Sequence, residues 1–175
     1  MGRSYQIPTV ALRYFNVYGT RQTLSNPYTG VCAIFSARLK HHHAPFVFED
    51  GAQTRDFIHV SDIVQANLLV MQDARADYGV FNVGSGRAIS IAQIGRLLGE
   101  LYGVAIEPEV TRKYRAGDIR HCVADIAKLR ALGFEPSMML DAGLRELVEW
   151  GKRVEAEDRV EAAAKELEAR GLTQG

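Results

Sequence analysis

The stretch Asp50–Asp62, which reads DGAQTRDFIHVSD, places a turn, a cation, a strand and a helix start close together. Asp50-Gly51 is a turn dipeptide that tolerates positive φ, and Phe57–Val60 is a β-prone run. Ser61 is predicted to cap the helix that follows directly. Arg55 lies between the turn and the strand, where its planar guanidinium suits the geometry of a phosphate. The pattern therefore predicts a ligand anion at the edge of a small sheet.

Composition excludes several classes of protein. The 175 residues are 47% apolar and 24% charged, with 21 basic and 21 acidic side chains. This balance fits one ordinary domain with a real core, and zero net charge argues against a nucleic-acid or membrane partner. Cys32 and Cys122 are far apart and outside any CxxC pattern, and Met1–Tyr5 contains no hydrophobic core of a signal peptide. We therefore expect reduced thiols in a cytoplasmic protein.

Hydrophobic periodicity predicts strands that alternate with helices, which is typical of an α/β fold with largely parallel pairing. Ser90, with Gln93 three residues on, predicts a capped helix that ends at Gly103. The other predicted helices are Val31–Lys40, Ile63–Met71 and Asp125–Leu132; the predicted strands are Thr9–Tyr18, which we expect to be buried, Pro45–Phe48, Val80–Val83 and Ile106–Val110.

The end of the chain differs from the rest in composition. From Leu140 onward the sequence is helical, and Glu155–Arg170 is rich in Ala, Glu, Lys and Arg, with an i,i+4 pair between Glu166 and Arg170. This segment has little apolar content, so we expect a solvated helix that frays, followed by a disordered end. A partner-binding helix is the alternative.

Four motifs occur in one order: LRYFNVYG at Leu12–Gly19, the Asp50–Asp62 block, FNVGSG at Phe81–Gly86, and RAGDIR at Arg115–Arg120, which ADIAK follows. Together they resemble the extended short-chain dehydrogenase/reductase family, whose members are NAD-dependent epimerases and dehydratases of nucleotide sugars. The resemblance runs from about residue 7 to about residue 150. It implies the C-terminal part of a Rossmann-type doubly wound sheet with a small α/β substrate-binding domain.

The same resemblance implies a domain organisation. Residues 1–25 would be the last strand region of a truncated NAD-binding domain. Residues 26–152 would bind the nucleotide sugar, with residues 78–103 returning to the Rossmann sheet, and residues 153–175 would form a charged helical tail. Family dimers pack through helices upstream of this region, so a homodimer of this chain is doubtful.

Two family motifs are absent. The sequence contains no GxGxxG or GxxGxxG turn, which would bind a cofactor pyrophosphate, and none of its 7 tyrosines is followed four residues later by Lys. The chain therefore resembles the C-terminal half of a longer enzyme, and we expect no catalytic residue and no catalysis from this polypeptide alone. NAD would be bound only in the intact enzyme.

The resemblance assigns the expected site residues. The Phe15 backbone would touch the nicotinamide side of the cofactor, and Asn16 would contact the sugar or its diphosphate. Arg55 and Arg115 would clamp the diphosphate from separate segments. Asp118 would accept from a ribose hydroxyl or orient Arg115.

The nucleobase would lie against the segment Val31–Phe35 and the strand that ends at Phe48, with Phe35 or Phe48 stacking on it. Their alternative role is ordinary core packing. The run His41–His43 is expected to be a solvated turn rather than a metal site, because consecutive side chains point in different directions. His59 is expected to be a hydrogen-bonded structural histidine.

These expectations leave more than one function open. The loop NPYTG and the turn EDG resemble those of 4-epimerases acting on dTDP- or UDP-sugars. The alternatives are a 4,6-dehydratase of the same substrates, or a non-catalytic module that binds a nucleotide or a protein partner.

Overall fold

The computed structural model describes residues 2–26, 28–115 and 117–174, without the side chains of residues 115 and 174. The helices are α1 (Val31–Lys40), α2 (Val60–Gln72), α3 (Ile91–Tyr102), α4 (Ala127–Arg130), α5 (Leu140–Arg153) and α6 (Val160–Ala169). The strands are β1 (Ala11–Tyr14), β2 (Asn16–Tyr18), β3 (Phe46–Val47), β4 (Thr54–Arg55), β5 (Phe57–His59), β6 (Val80–Val83), β7 (Ile89–Ser90), β8 (Glu109–Val110), β9 (Tyr114–Arg115), β10 (His121–Cys122) and β11 (Thr173–Gln174).

Most strand pairs are parallel, as the α/β interpretation predicts. Parallel pairs join β1 to β6, β2 to β5, β3 to β8 and β4 to β10. Antiparallel pairs join β4 to β7 and β9 to β11. The mixed α/β fold with parallel strands is confirmed, and it fits a partial Rossmann-type architecture.

Two apolar clusters hold these elements together. In the first, helix α3 packs against α1 and α5 through residues that include Phe35, Leu98 and Leu147. The second lies between α2, β6 and α4, where Phe134 is fully buried against them. We refer to this second cluster as the α2 core.

The predicted strand Thr9–Tyr18 is divided in two. Phe15 N–H donates to Val83 O at 3.1 Å, whereas Asn16 N–H donates to Asp56 O at 3.0 Å. The backbone thus changes partners between these two residues, which ends β1 and begins β2. The expectation that the whole segment is buried was wrong, because β1 pairs only with β6 within the described residues and Arg13 and Tyr14 are exposed.

Helix α2 begins earlier than the sequence predicted. Its cap is His59, whose Nδ1 accepts from Ser61 N–H at 3.3 Å, so Ser61 lies inside the first turn. The prediction of a Ser61 cap was therefore wrong, because a ring nitrogen fulfils that role. His59 is 3% exposed and hydrogen-bonded, as expected for a structural histidine.

Helix α3 has the predicted ends. Gln93 N–H donates to Ser90 Oγ at 3.2 Å, and Gly103 adopts a left-handed conformation with φ 72°. Within the helix, a Cβ on Gly95 would lie 2.7 Å from Pro108 Cγ. This glycine therefore permits the close approach of the segment that leads into β8.

The C-terminal segment differs most from expectation. Helix α6 covers only Val160–Ala169, whereas the sequence predicted helix from Leu140 onward. Arg170 pairs with Glu166 at 2.6 Å, as predicted, but residues 171–174 do not form the expected disordered end. Thr173 and Gln174 form β11 against β9. The segment also lies against the rest of the fold, so its charged composition did not predict a free helix. We refer to residues 155–174 as the C-terminal strap.

Candidate ligand pocket

A cavity of about 280 Å³ lies where β2, β4 and α1 meet. Six of the residues predicted from the sequence line it: Asn16, Val31, Phe35, Phe48, Arg55 and Asp118. They come from separate parts of the chain. The structure therefore brings most of the predicted ligand contacts to one place.

The local fold explains how each side chain reaches the cavity. Asn16 is the first residue of β2, and Arg55 is the last residue of β4. Val31 and Phe35 lie one turn apart on α1, which places them on the same helix face. Phe48 directly follows β3. These predicted side chains therefore reach the cavity from strand ends and from one face of α1.

Arg55 is the cation that lines this cavity, and it is already engaged. Its Nη2 lies 3.0 Å from Asp118 Oδ1, and its Nη1 donates to the carbonyl oxygens of Thr54 and Arg120 at 2.9 and 3.0 Å. Its side chain is 14% exposed. The guanidinium is thus held in one orientation, and its charge is balanced by a carboxylate.

The predicted clamp of two arginines is not tested by the structure. Arg115 lies in β9, but its side chain falls outside the described residues. The clamp therefore stays a prediction. Asp118 contacts Arg55, where the sequence interpretation had linked it to Arg115 or to a ribose.

Phe15 lies beside the cavity that Arg55 lines. It lines a second cavity of about 330 Å³, which Asn16 and Val31 also border. This position is adjacent to the predicted substrate contacts, but it does not test the expected contact with nicotinamide.

The loop FNVGSG is the nearest approach to a glycine-rich anion site, and its donors are already used. Ser85 N–H donates to Asp56 Oδ1 at 2.7 Å, and Gly86 N–H donates to Asp56 Oδ2 at 2.9 Å. Ala124 N–H and the Ser85 hydroxyl complete the shell of this fully buried carboxylate. The N–H groups of Ser85 and Gly86 are therefore not free to bind a pyrophosphate.

The turn before β4 has its own pairing. Glu49 and Gly51 have positive φ values of 51° and 78°, as the turn sequence predicted for the glycine. Arg120 contacts Glu49 Oε2 at 2.5 Å and Asp50 Oδ2 at 2.8 Å, and its guanidinium holds the pKa of Asp50 below its ordinary value. Arg120 thus stabilises the turn and does not line the cavity.

Several lining residues carried no signal in the sequence. Gln53 is 5% exposed, and its amide donates to Phe48 O at 2.8 Å while its Oε1 has no hydrogen-bond partner among the described residues. The strap contributes four more lining residues: Val160, Ala163, Ala164 and Leu167. Small apolar residues on a charged helix give no pattern that points to a ligand.

The histidine run also contacts the strap. His41 Nε2 lies 2.7 Å from Ala156 O, and His43 Nδ1 lies 2.7 Å from Asp158 Oδ2. The expectation of a merely solvated turn was incomplete, because these exposed rings bind a distant part of the chain.

Among the residues that the structure describes, no helix has the length and apolar character needed to cross a bilayer.

Comparison with known proteins points to one family. The family model described as the NAD dependent epimerase/dehydratase family matches residues 1–84. The dTDP-L-rhamnose 4-epimerase of Burkholderia thailandensis is 38% identical over 144 residues, covering 82% of this chain and 39% of that protein. The chain thus spans less than half the length of this curated relative.

Solved structures agree with this result. UDP-glucose 4-epimerase from Thermotoga maritima, solved with UDP-glucose, is 39% identical with a TM-score of 0.79, over 87% of this chain and 48% of that one. UDP-glucuronic acid 4-epimerase from Bacillus cereus, solved with UDP-glucuronic acid and NAD, is 27% identical with a TM-score of 0.77, over 87% and 48% of the two chains.

Proposed function

We propose that this chain, which belongs to the NAD-dependent epimerase/dehydratase family, supplies the nucleotide-sugar-binding half of a 4-epimerase. The observation that carries the proposal is the convergence of Asn16, Arg55 and Asp118 with three apolar residues on one cavity. The relatives described above are 4-epimerases of dTDP- or UDP-sugars. This favours a 4-epimerase over a dehydratase of the same substrates.

The lining suits the separate parts of a nucleotide sugar. Phe46 and Phe48 are half-buried and offer aromatic surface on which a base can stack, whereas Phe35 is 2% exposed and serves mainly the core behind them. Arg55 offers a fixed donor fork for the diphosphate, and Asn16 offers both a donor and an acceptor for hydroxyl groups. We infer that these residues bind and orient the substrate.

The diphosphate would change the pairing of Arg55. A ligand of the same sign as Asp118 competes for the guanidinium, so binding exchanges a carboxylate partner for a phosphate partner. The net gain is then smaller than for an unpaired arginine, because one charged hydrogen bond replaces another. The hydride step is not assigned to these residues, because the sequence contains neither the glycine-rich turn nor the Tyr-x-x-x-Lys pattern that the family resemblance leads us to expect for it.

Arg55→Ala tests this proposal. We expect it to raise the dissociation constant for UDP and dTDP roughly 10- to 100-fold, because the ligand loses a charge-assisted hydrogen bond of about 1.5–3 kcal/mol and meets the Asp118 carboxylate without its cation. Isothermal titration calorimetry of the full chain with each nucleotide measures the change.

Arg96→Ala is the matched control, because Arg96 also pairs with a carboxylate, Glu107 at 3.0 Å, but does not line the cavity. Equal affinities for the two variants would remove Arg55 from the site. Absence of binding by the unaltered chain would contradict the proposed function as a whole.

A further inference from the structure

The C-terminal strap forms one side of the candidate pocket. Val160, Ala163, Ala164 and Leu167 on α6 line the same cavity as Asn16 and Arg55. Ala163 is 9% exposed, although the helix around it is highly charged. A helix that the sequence predicted to be solvated thus covers the residues that the sequence predicted to bind a ligand.

The strap is fixed before α6 by a buried ion pair. Arg38 on α1 contacts Asp158 at 3.2 Å, and these side chains are only 4% and 7% exposed. Arg38 also donates to Ala44 O at 2.6 Å, and its Cζ lies 3.9 Å from the ring centroid of Phe46, which lines the cavity. Asp158 Oδ1 in turn accepts from Val160 N–H at 3.1 Å. Asp158 therefore joins the start of α6 to Arg38 on α1.

The strap is also fixed along and after α6. Tyr28 Oη donates to Glu166 Oε2 at 3.0 Å, and Lys113 pairs with Glu168. Beyond the helix, β11 pairs with β9, the strand that contains the backbone of Arg115. Contacts at both ends hold α6 over the cavity.

The side chains that α6 turns toward the cavity show that the helix lines the ligand site and does not occupy it. The residues of α6 that line the cavity are apolar, and none of its acidic residues does so. Glu166 and Glu168 are instead engaged at the rim. No carboxylate of the helix takes the place of a phosphate beside Arg55, and a cavity remains beneath α6.

We propose that α6 is a wall of the ligand site, and that Ala163, Ala164 and Leu167 contact the bound nucleotide and limit its shape. This inference rests on the function proposed above. The polar residues Asn16 and Arg55 recognise the hydroxyl and phosphate groups of the ligand, whereas the strap supplies only van der Waals contacts. The cavity of about 280 Å³ is slightly smaller than the range of about 300–1,000 Å³ that is typical of ligand pockets, so we expect α6 to lift when a nucleotide enters and then to close on it.

Ala163→Leu tests the wall directly. The added side chain occupies space that the ligand needs, so we expect the dissociation constants for UDP and dTDP to rise about 10-fold. Ala162→Leu is the matched control, because Ala162 is the neighbouring residue, is exposed and does not line this cavity. We expect its affinities to stay within about 2-fold of the unaltered chain.

Hydrogen exchange gives a second readout that does not depend on affinity. In the unaltered chain, saturating UDP or dTDP should slow amide exchange in residues 160–169, because a ligand beneath α6 holds it closed. The same measurement without ligand shows whether Ala163→Leu leaves the strap docked. If it does not, Ala164→Leu, at a half-buried position, replaces it.

The outcomes separate the two proposals. If Arg55→Ala weakens binding while Ala163→Leu and Ala162→Leu bind equally, the wall is overturned and the proposed function stands. Unchanged exchange in α6 on nucleotide binding, or tighter binding by the leucine variant, also overturns the wall. If the unaltered chain binds neither nucleotide, both proposals fail together.

Discussion

Helices α2 and α6 are each exposed or covered in a way that their amino-acid compositions would not predict. Helix α2 is the more apolar, yet one stripe of it, Val60, Val64, Leu68 and Met71, is between 36% and 79% exposed. Helix α6 is charged, yet it is anchored at both ends and covers a cavity. Burial thus depends on which surfaces lie opposite a helix, and composition alone does not decide it. The two helices are also held differently, α2 by apolar packing and α6 largely by charges and hydrogen bonds.

The largest expected effect is on the packed side of α2. Phe134 is fully buried in the α2 core, so Phe134→Ala should lower the free energy of unfolding by about 3–5 kcal/mol. Urea denaturation measures the change. Tyr5→Ala, at a position that is 71% exposed, should change it by less than about 0.5 kcal/mol. A small effect of Phe134→Ala would mean that packing does not hold this region.

A smaller and more local effect is expected at the anchor of the strap. Asp158→Asn removes the charge that faces buried Arg38, which should weaken docking of residues 155–174 by about 1–3 kcal/mol. Hydrogen exchange should accelerate in α6 while the α2 core stays protected. Glu155→Gln removes an exposed charge from the same segment and should leave exchange unchanged. Loss of protection throughout the chain would show that the strap and the body unfold as one unit.

Protonation of Asp158 at acidic pH should weaken the docking of the strap. Burial alone would raise the pKa of Asp158, but hydrogen bonds from His43 and the Val160 amide, with the Arg38 charge, lower it below the ordinary value of 3.8. A depressed pKa stabilises the folded form above 3.8, and this contribution is lost as pH falls through the lower folded value. The protection factors of α6, which are corrected for the intrinsic pH dependence of amide exchange, should therefore fall only below about pH 3.8. In Asp158→Asn this acid step should be absent.

The smallest expected effect is on the exposed side of α2. Leu68 is 52% exposed, so Leu68→Lys should change the free energy of unfolding by less than about 0.5 kcal/mol. Val70→Lys, on the buried side of the same helix, should be strongly destabilising. Urea denaturation of the two variants compares the exposed and buried sides of α2. An equal loss of stability in both would show that the exposed apolar residues of α2 are covered in solution.

The sequence predicted those helices and strands whose bounds depend only on residues close to each other along the chain. The helical spacing of Val31–Lys40 predicted the bounds of α1, Val80–Val83 matched β6, and Ser90 and Gly103 marked the ends of α3. Each of these features depends on residues within one or two turns of each other.

Features that depend on distant partners were not predicted. The break between Phe15 and Asn16 arises because two different strands accept their N–H groups. The docking of α6 depends on Arg38, which lies 120 residues before Asp158. The motif resemblance did identify Asn16, Arg55 and Asp118, which line one cavity, whereas the alanines of α6 carry no comparable signal.

The one tryptophan of the chain lies at the root of the strap. Trp150 packs against the cluster of Leu24, Ala33 and Ala37, beside Val154 and Ala156. The Trp150 indole can therefore serve as an intrinsic fluorescence probe. Its emission maximum should shift to longer wavelength when the strap detaches, because the ring then becomes more exposed to water. The movement of the strap could thus be timed by stopped-flow fluorescence without attaching a dye.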